Sequence, residues 1–99
     1  MIRHVVMWKL RGPTDSERNA QAEQVQLALL GLVGKIPGMS SLEVGLGSAS
    51  GEQLCDVVLT TTHDSWQALE AYQNHPAHQA AAKLIGELRV ERRVVDYEV

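Results

Sequence analysis

Residues Ile2–Leu10 read Ile-Arg-His-Val-Val-Met-Trp-Lys-Leu, a run whose two alternating faces are both largely apolar. On the strand period of two, Ile2, His4, Val6, Trp8 and Leu10 point one way while Val5 and Met7 point the other. Such a strand needs cover on both sides, and no other stretch constrains the fold as strongly. A chain of 99 residues, 44% of them hydrophobic, builds a single core, so it supplies one cover and not two. The second is expected from another copy of the chain, sheet against sheet. Closed cyclic dimers are the commonest assembly, and large bare apolar faces are rare on monomers.

The rest of the chain reads as one domain over residues 1–99 with an alternating order of elements. Arg11-Gly12-Pro13 halts the first strand. Thr14 and Glu17 have the form of a capping box, after which Ala22, Val25, Ala28, Leu29, Leu32 and Val33 recur at helical spacing and predict a helix ending near Gly34. Ile36-Pro37-Gly38 turns the chain into a second strand, Met39–Leu46. A polar loop over residues 47–51 and a third strand over 54–62 follow, paired with the second as a hairpin. Asp64 with Gln67 predicts the cap of a second helix that carries Trp66, Leu69 and Tyr72 on one side. Pro76 interrupts it: the residue before proline avoids helical geometry, and proline suits a first turn, so a new helix is expected over 76–86. The last strand covers 88–98. The predicted class is α+β, a ferredoxin-like βαββαβ arrangement with a four-stranded antiparallel sheet and helices on one face.

Composition excludes several classes of partner. The formal charge of −3 argues against nucleic acid, and the only dense basic cluster, Arg89, Arg92 and Arg93, is interleaved with Glu87 and Glu91 and reads as a solvated strand face. No stretch is long and apolar enough to span a membrane, and the apolar opening run is broken by Arg3, His4 and Lys9, unlike a signal peptide. The single cysteine, Cys55, forms no internal disulfide and is expected as a small buried hydrophobe, which suits a reducing compartment such as the cytoplasm. No cofactor is expected, since Gly45-Leu46-Gly47 lacks the rest of a dinucleotide loop.

The residues that could carry chemistry cluster in Tyr72-Gln-Asn-His-Pro-Ala-His78. With Pro76 opening the last helix, His75 falls near the N-cap and His78 in the first turn, where the helix's partial positive charge disfavours imidazolium. A neutral imidazole is what a general base requires. Tyr72 ends the preceding helix and can aim its hydroxyl into the same space. Asp96, in register with a core-facing Val94, can orient the imidazole by accepting its other N–H. His63 reads as a surface residue. A zinc site from His4, His75 and His78 lacks a completing cysteine or carboxylate at familiar spacing, and no metal is predicted.

Taken together, the opening Met-Ile-Arg-His-Val-Val-Met-Trp-Lys-Leu, the central Tyr72-Gln-Asn-His-Pro-Ala-His78 and the closing Val94-Val95-Asp96-Tyr97-Glu98 resemble the stress-responsive A/B-barrel (Dabb) family along essentially the whole chain. The resemblance implies two sheets meeting as a dimeric α/β barrel. The chain is also similar to cofactor-free plant cyclases of that family, which fold a linear polyketide thioester by intramolecular aldol condensation. That similarity implies catalytic roles for Tyr72 and His78, with Asp96 bonding the histidine and His4 in the pocket. It also implies a mostly apolar site lined by Val6, Trp8, Leu59 and His75 for a small apolar or β-keto ligand. In that chemistry the histidine removes a C–H proton between carbonyls and the phenol hydrogen-bonds the oxygen that becomes an enolate. Three roles stay open at this point: a dimeric protein with a ligand pocket, a cofactor-independent cyclase, lyase or isomerase, and a purely structural oligomer. A cavity of roughly 300 Å³ or more beside His78 favours the first two, whereas one filled by Trp8 and Tyr72 favours the third.

Overall fold

Thr14 and Glu17 form the expected reciprocal cap in the computed structural model, which describes residues 1–48 and 54–99. The Thr14 hydroxyl oxygen accepts the Glu17 N–H at 3.1 Å and the Glu17 carboxylate accepts the Thr14 N–H at 3.2 Å. This starts α1 (Asp15–Leu30) behind the strand β1 (Ile2–Leu10), with Ala22, Val25 and Leu29 on its buried stripe. The helix stops before Gly34. Leu32, Val33 and Lys35 donate to carbonyls three residues back, which tightens the winding and drops Val33 off the stripe, leaving it 59% exposed. Gly38, at φ +80°, then turns the chain where an added Cβ would stand 2.9 Å from that of Ala68. Only glycine meets both demands.

The remaining elements are β2 (Met39–Leu46), β3 (Val57–His63), α2 (Trp66–Asn74), α3 (Pro76–Leu88) and β4 (Arg89–Glu98). Residues 49–51 of the expected loop lie outside the described residues. The third strand begins at Val57 rather than residue 54. Leu54 is exposed, and Cys55 is half-buried instead of enclosed. The cap of α2 is Ser65, whose hydroxyl accepts the Ala68 N–H at 3.1 Å, and not Asp64. Trp66, the first residue of the helix, is 50% exposed, while Leu69 and Tyr72 are buried.

The sheet is antiparallel with strand order β2-β3-β1-β4, the ferredoxin-like arrangement. Ile2, Val6, Trp8 and Leu10 of β1 and Val57 and Leu59 of β3 pack in one cluster with Val25, Leu29, Leu69, Tyr72 and Ile85 from the helices. The opposite face carries Val5 and Met7, the latter 40% exposed, beside Val58, Val95 and Tyr97. The central strand is therefore apolar on both faces, and the chain's own helices cover only one. As an edge strand, β4 leaves Val94 largely exposed even though it lies opposite Val6 on the helix side. No helix of the described residues is long and apolar enough to cross a membrane.

Candidate functional site

His75 closes one helix and opens the next. Its backbone N–H donates to the Tyr72 carbonyl at 3.1 Å as α2 ends, and its Nδ1 accepts the Ala77 N–H at 3.1 Å as α3 begins. Pro76 enforces this break, because His75 takes the extended geometry (φ −68°, ψ 135°) that a residue before proline prefers. The end of α2 leaves carbonyls without intrahelical donors, and His78 in the first turn of α3 satisfies one of them: its Nδ1–H donates to the Gln73 carbonyl at 3.1 Å. That bond fixes the tautomer and leaves the lone pair on Nε2. Burial holds the His78 imidazole below its ordinary pKa of 6.5 against the pull of the Gln73 carbonyl, and the charges of His4, Arg92 and His75 act in the same direction as burial. His78 is neutral at neutral pH and can accept a proton.

Tyr72 is fully buried in the last turn of α2, its ring 4.4 Å from that of His78, 4.9 Å from His63 and 6.0 Å from His4 between centroids. Burial pushes its phenol up to about 12, outweighing the opposite influence of Arg92. Among the described residues two buried side-chain polar atoms have no hydrogen-bond partner, the Tyr72 hydroxyl and His63 Nδ1. Such groups are few in native proteins and call for a physical reason. The Tyr72 side chain borders a cavity of about 300 Å³ lined also by His4, Val6, Trp8, Leu29, Leu59 and His78, with Ala82, Ile85, Arg89 and Arg92 completing the wall. Trp8 forms part of that wall and leaves the space open. The phenol O–H is a buried donor without a partner, in a side chain that lines the cavity.

Two of the expected placements are corrected. Asp96 does not orient His78; cross-strand register sets it opposite His4 instead, and its carboxylate accepts from His4 Nδ1. His75, expected to line the pocket, caps the helix and is absent from the cavity wall. His4, Val6, Trp8, Leu59, Tyr72 and His78 do come together around one space. His63, expected at the surface, is fully buried, with Nε2 2.8 Å from the Thr61 hydroxyl. The third strand runs one residue further than expected, and His63 keeps the inward parity of Leu59 and Thr61. Arg89 and Arg92 were read as solvated. Both line the cavity, and the available signal was the even-numbered parity of Arg92 with Asp96. Among the described residues no group of three or more His, Cys, Asp and Glu side chains is placed to hold a metal ion.

Burial also lowers the pKa of His63, with the His4 charge acting in the same direction and Asp96 and Asp64 against it. For both His63 and His78 the folded-state value lies below the unfolded 6.5, so the unfolded chain binds more protons between the two values. Their stabilisation is complete above about pH 6.5 and is lost as pH falls from there toward the folded values. Urea unfolding is expected to show a falling midpoint between about pH 7 and 5, with a smaller fall in His78→Gln and His63→Gln variants. A flat or rising midpoint contradicts the assignment.

The chain is an open-faced α+β sandwich with a tyrosine and a histidine side by side at a helix–sheet cavity. A model of the Stress responsive A/B Barrel Domain matches residues 2–99, and the chain belongs to that family. Among solved structures, it is similar to a dimeric ferredoxin-like protein of unknown function from Bacteroides fragilis, at 31% identity and TM-score 0.88 over 99% of this chain and 95% of that one. A dimeric ferredoxin-like protein of unknown function from Thermobifida fusca matches at 26% identity and TM-score 0.85, over 99% and 90% of the two chains. Hydroxynitrile lyase from Passiflora edulis shares the fold at 19% identity and TM-score 0.78, over 99% and 92%. No curated protein sequence matches the chain.

Proposed function

We propose that the protein works as a homodimer joined through the outer faces of its sheets, and that each protomer binds a small, mostly apolar carbonyl compound in the Tyr72–His78 cavity. With a β-keto ligand, His78 removes the acidic C–H proton between the carbonyls and the Tyr72 phenol donates to the oxygen that gains charge, without a cofactor. The observation that carries this reading is the buried, unpartnered hydroxyl of Tyr72, a residue lining a cavity of about 300 Å³, beside an imidazole whose tautomer is set by the Gln73 carbonyl. His4, held by Asp96, adds a second oriented imidazole to the wall. The uncovered apolar face of β1 supports the dimer, as does the dimeric state of the Bacteroides fragilis and Thermobifida fusca relatives. The single cysteine suits a reducing compartment such as the cytoplasm.

The test is turnover of linear 3,5,7-trioxo thioesters, in which the C2 carbanion can close a six-membered ring on the C7 carbonyl with loss of water, followed by mass spectrometry and comparing the parent protein with Ala82→Trp. Ala82 is exposed yet lines the cavity, so tryptophan there blocks the space without disturbing the core. Turnover is expected in the parent and lost in the variant. Its kcat/KM should fall on the acid side with a midpoint below 6.5, the ordinary value from which His78 is lowered, and show no alkaline limb from Tyr72 until about pH 12. Equal turnover in the blocked variant rules out the cavity as the site.

A further inference from the structure

Arg89 and Arg92 lie three residues apart on β4, and on a regular strand residues three apart face opposite sides of the sheet. Here both line the cavity. The pairing explains how: Trp8 lies opposite Arg92 and Lys9 opposite Glu91, but Leu10 lies opposite Arg89, so β4 has one more residue than β1 at Val90. This is a β-bulge, a device that re-aims a side chain. It swings Arg89 onto the helix side, where the parity of Asp96 and Val94 already places Arg92. The neighbouring Arg93 keeps the outward parity and pairs with Glu91 at 3.6 Å. Among the described residues the other ion pairs are His4 with Asp96, and Arg18 with Asp15 and Asp56. Neither cavity arginine has a carboxylate partner.

Among the described residues both guanidinium groups lack a carboxylate, and they share the wall with Val6, Trp8, Leu29 and Leu59 as well as His4, Tyr72 and His78. His4, Val6, Trp8, Leu59 and Tyr72 are buried, whereas Arg92 and Ala82 are exposed and Arg89 and His78 half-buried, so the arginines stand with Ala82 and His78 toward the open end. Guanidinium offers a planar fork of N–H donors that matches anionic oxygens and stays charged at every relevant pH. We infer that the ligand of this cavity carries an anionic oxygen group, a carboxylate or a phosphate, which Arg92 and Arg89 hold at the mouth while its apolar body runs inward past His78 toward Tyr72. This rests on the cavity reading above and adds the substrate class: amphipathic, charged at one end, with a carbonyl within reach of the acid–base pair.

Calorimetric titration of the parent protein with 3-oxodecanoate and with its uncharged methyl ester tests it, with octyl phosphate as a third probe. The anion is expected to bind roughly tenfold more tightly than the ester. Arg92→Gln should abolish that preference while leaving the ester's affinity within about twofold, and Arg89→Gln should reduce it. The preference should also shrink between about 20 mM and about 500 mM salt, because the mouth is open to solvent. Octyl phosphate binding more tightly than 3-oxodecanoate identifies the held group as a phosphate, and the reverse order identifies a carboxylate. Equal binding of anion and ester in the parent overturns the assignment but leaves the cavity reading intact, as does a preference that survives in the Arg89→Gln, Arg92→Gln double variant. Binding of none of the three probes overturns the cavity reading and this inference with it.

Discussion

Replacing His78 by alanine should reduce turnover of a 3,5,7-trioxo thioester by about 10²–10⁴-fold, the range expected for a missing general base. The same change removes the hydrogen bond from Nδ1 to the Gln73 carbonyl, a loss of about 1 kcal/mol that lowers Tm by several degrees in a domain of this size. Both effects follow from one ring, so a second variant has to separate chemistry from scaffold. Tyr72→Phe does so. Because the phenol oxygen is buried without a partner, its removal should leave stability unchanged or raise it by about 1 kcal/mol, by ending an uncompensated desolvation. Turnover should nonetheless fall by about 10²-fold through loss of the donor to the developing enolate. A stabilised but slow Tyr72→Phe protein is the signature of a site kept strained for function. If His78→Ala lowers Tm and leaves turnover untouched, the histidine is structural only.

Placing a carboxylate at the centre of the outer sheet face should convert the dimer to monomers. Val5 sits on a central strand with Thr60 and Val95 as its cross-strand neighbours, so Val5→Glu finds no cation directly opposite it within the protomer. In a two-fold interface each substitution occurs twice, and an unpaired charge buried between sheets costs several kcal/mol, enough to raise the dissociation constant about 10³-fold or more. Sedimentation velocity at micromolar concentration should show dimers for the parent protein and monomers for the variant. Val95→Glu, on a strand at the sheet edge and 55% exposed in the protomer, provides a second probe less demanding of the fold. A monomeric parent, or a variant that stays dimeric, refutes the sheet-to-sheet arrangement. Because the cavity-lining side chains and the proposed interface occupy opposite faces of β1, the Val5→Glu monomer should keep its cavity.

The relation between the two faces shows why parts of the site were readable in advance and parts were not. The candidate base was found because Pro76 acts locally: it breaks the helix, and the break places His75 and His78 on either side of a cap whose geometry depends on four or five adjacent residues. The inward set His4, Val6 and Trp8 followed from the strand period alone. The partner of Asp96 did not, because His4 and Asp96 are neighbours only through the register of two strands at opposite ends of the chain. Choosing His78 for that carboxylate was reasonable from chemistry and wrong in space. The Gln73 carbonyl that takes its place belongs to the backbone, and side-chain patterns carry no record of it. Arg89 and Arg92 were misread for a related reason, since their spacing excludes a shared face unless a bulge intervenes.

The order of elements, the two apolar faces of β1 and the break at Pro76 are legible along the chain, since each arises from propensity, periodicity or sterics acting over a few residues. Which polar groups meet is a matter of how distant segments pack. The pairing of His4 with Asp96, the burial of His63, the cavity left beside Trp8 and the turn of Arg89 toward it all depend on cross-strand register and helix packing. Those are set by how the whole core closes, and no local stretch of the chain encodes them.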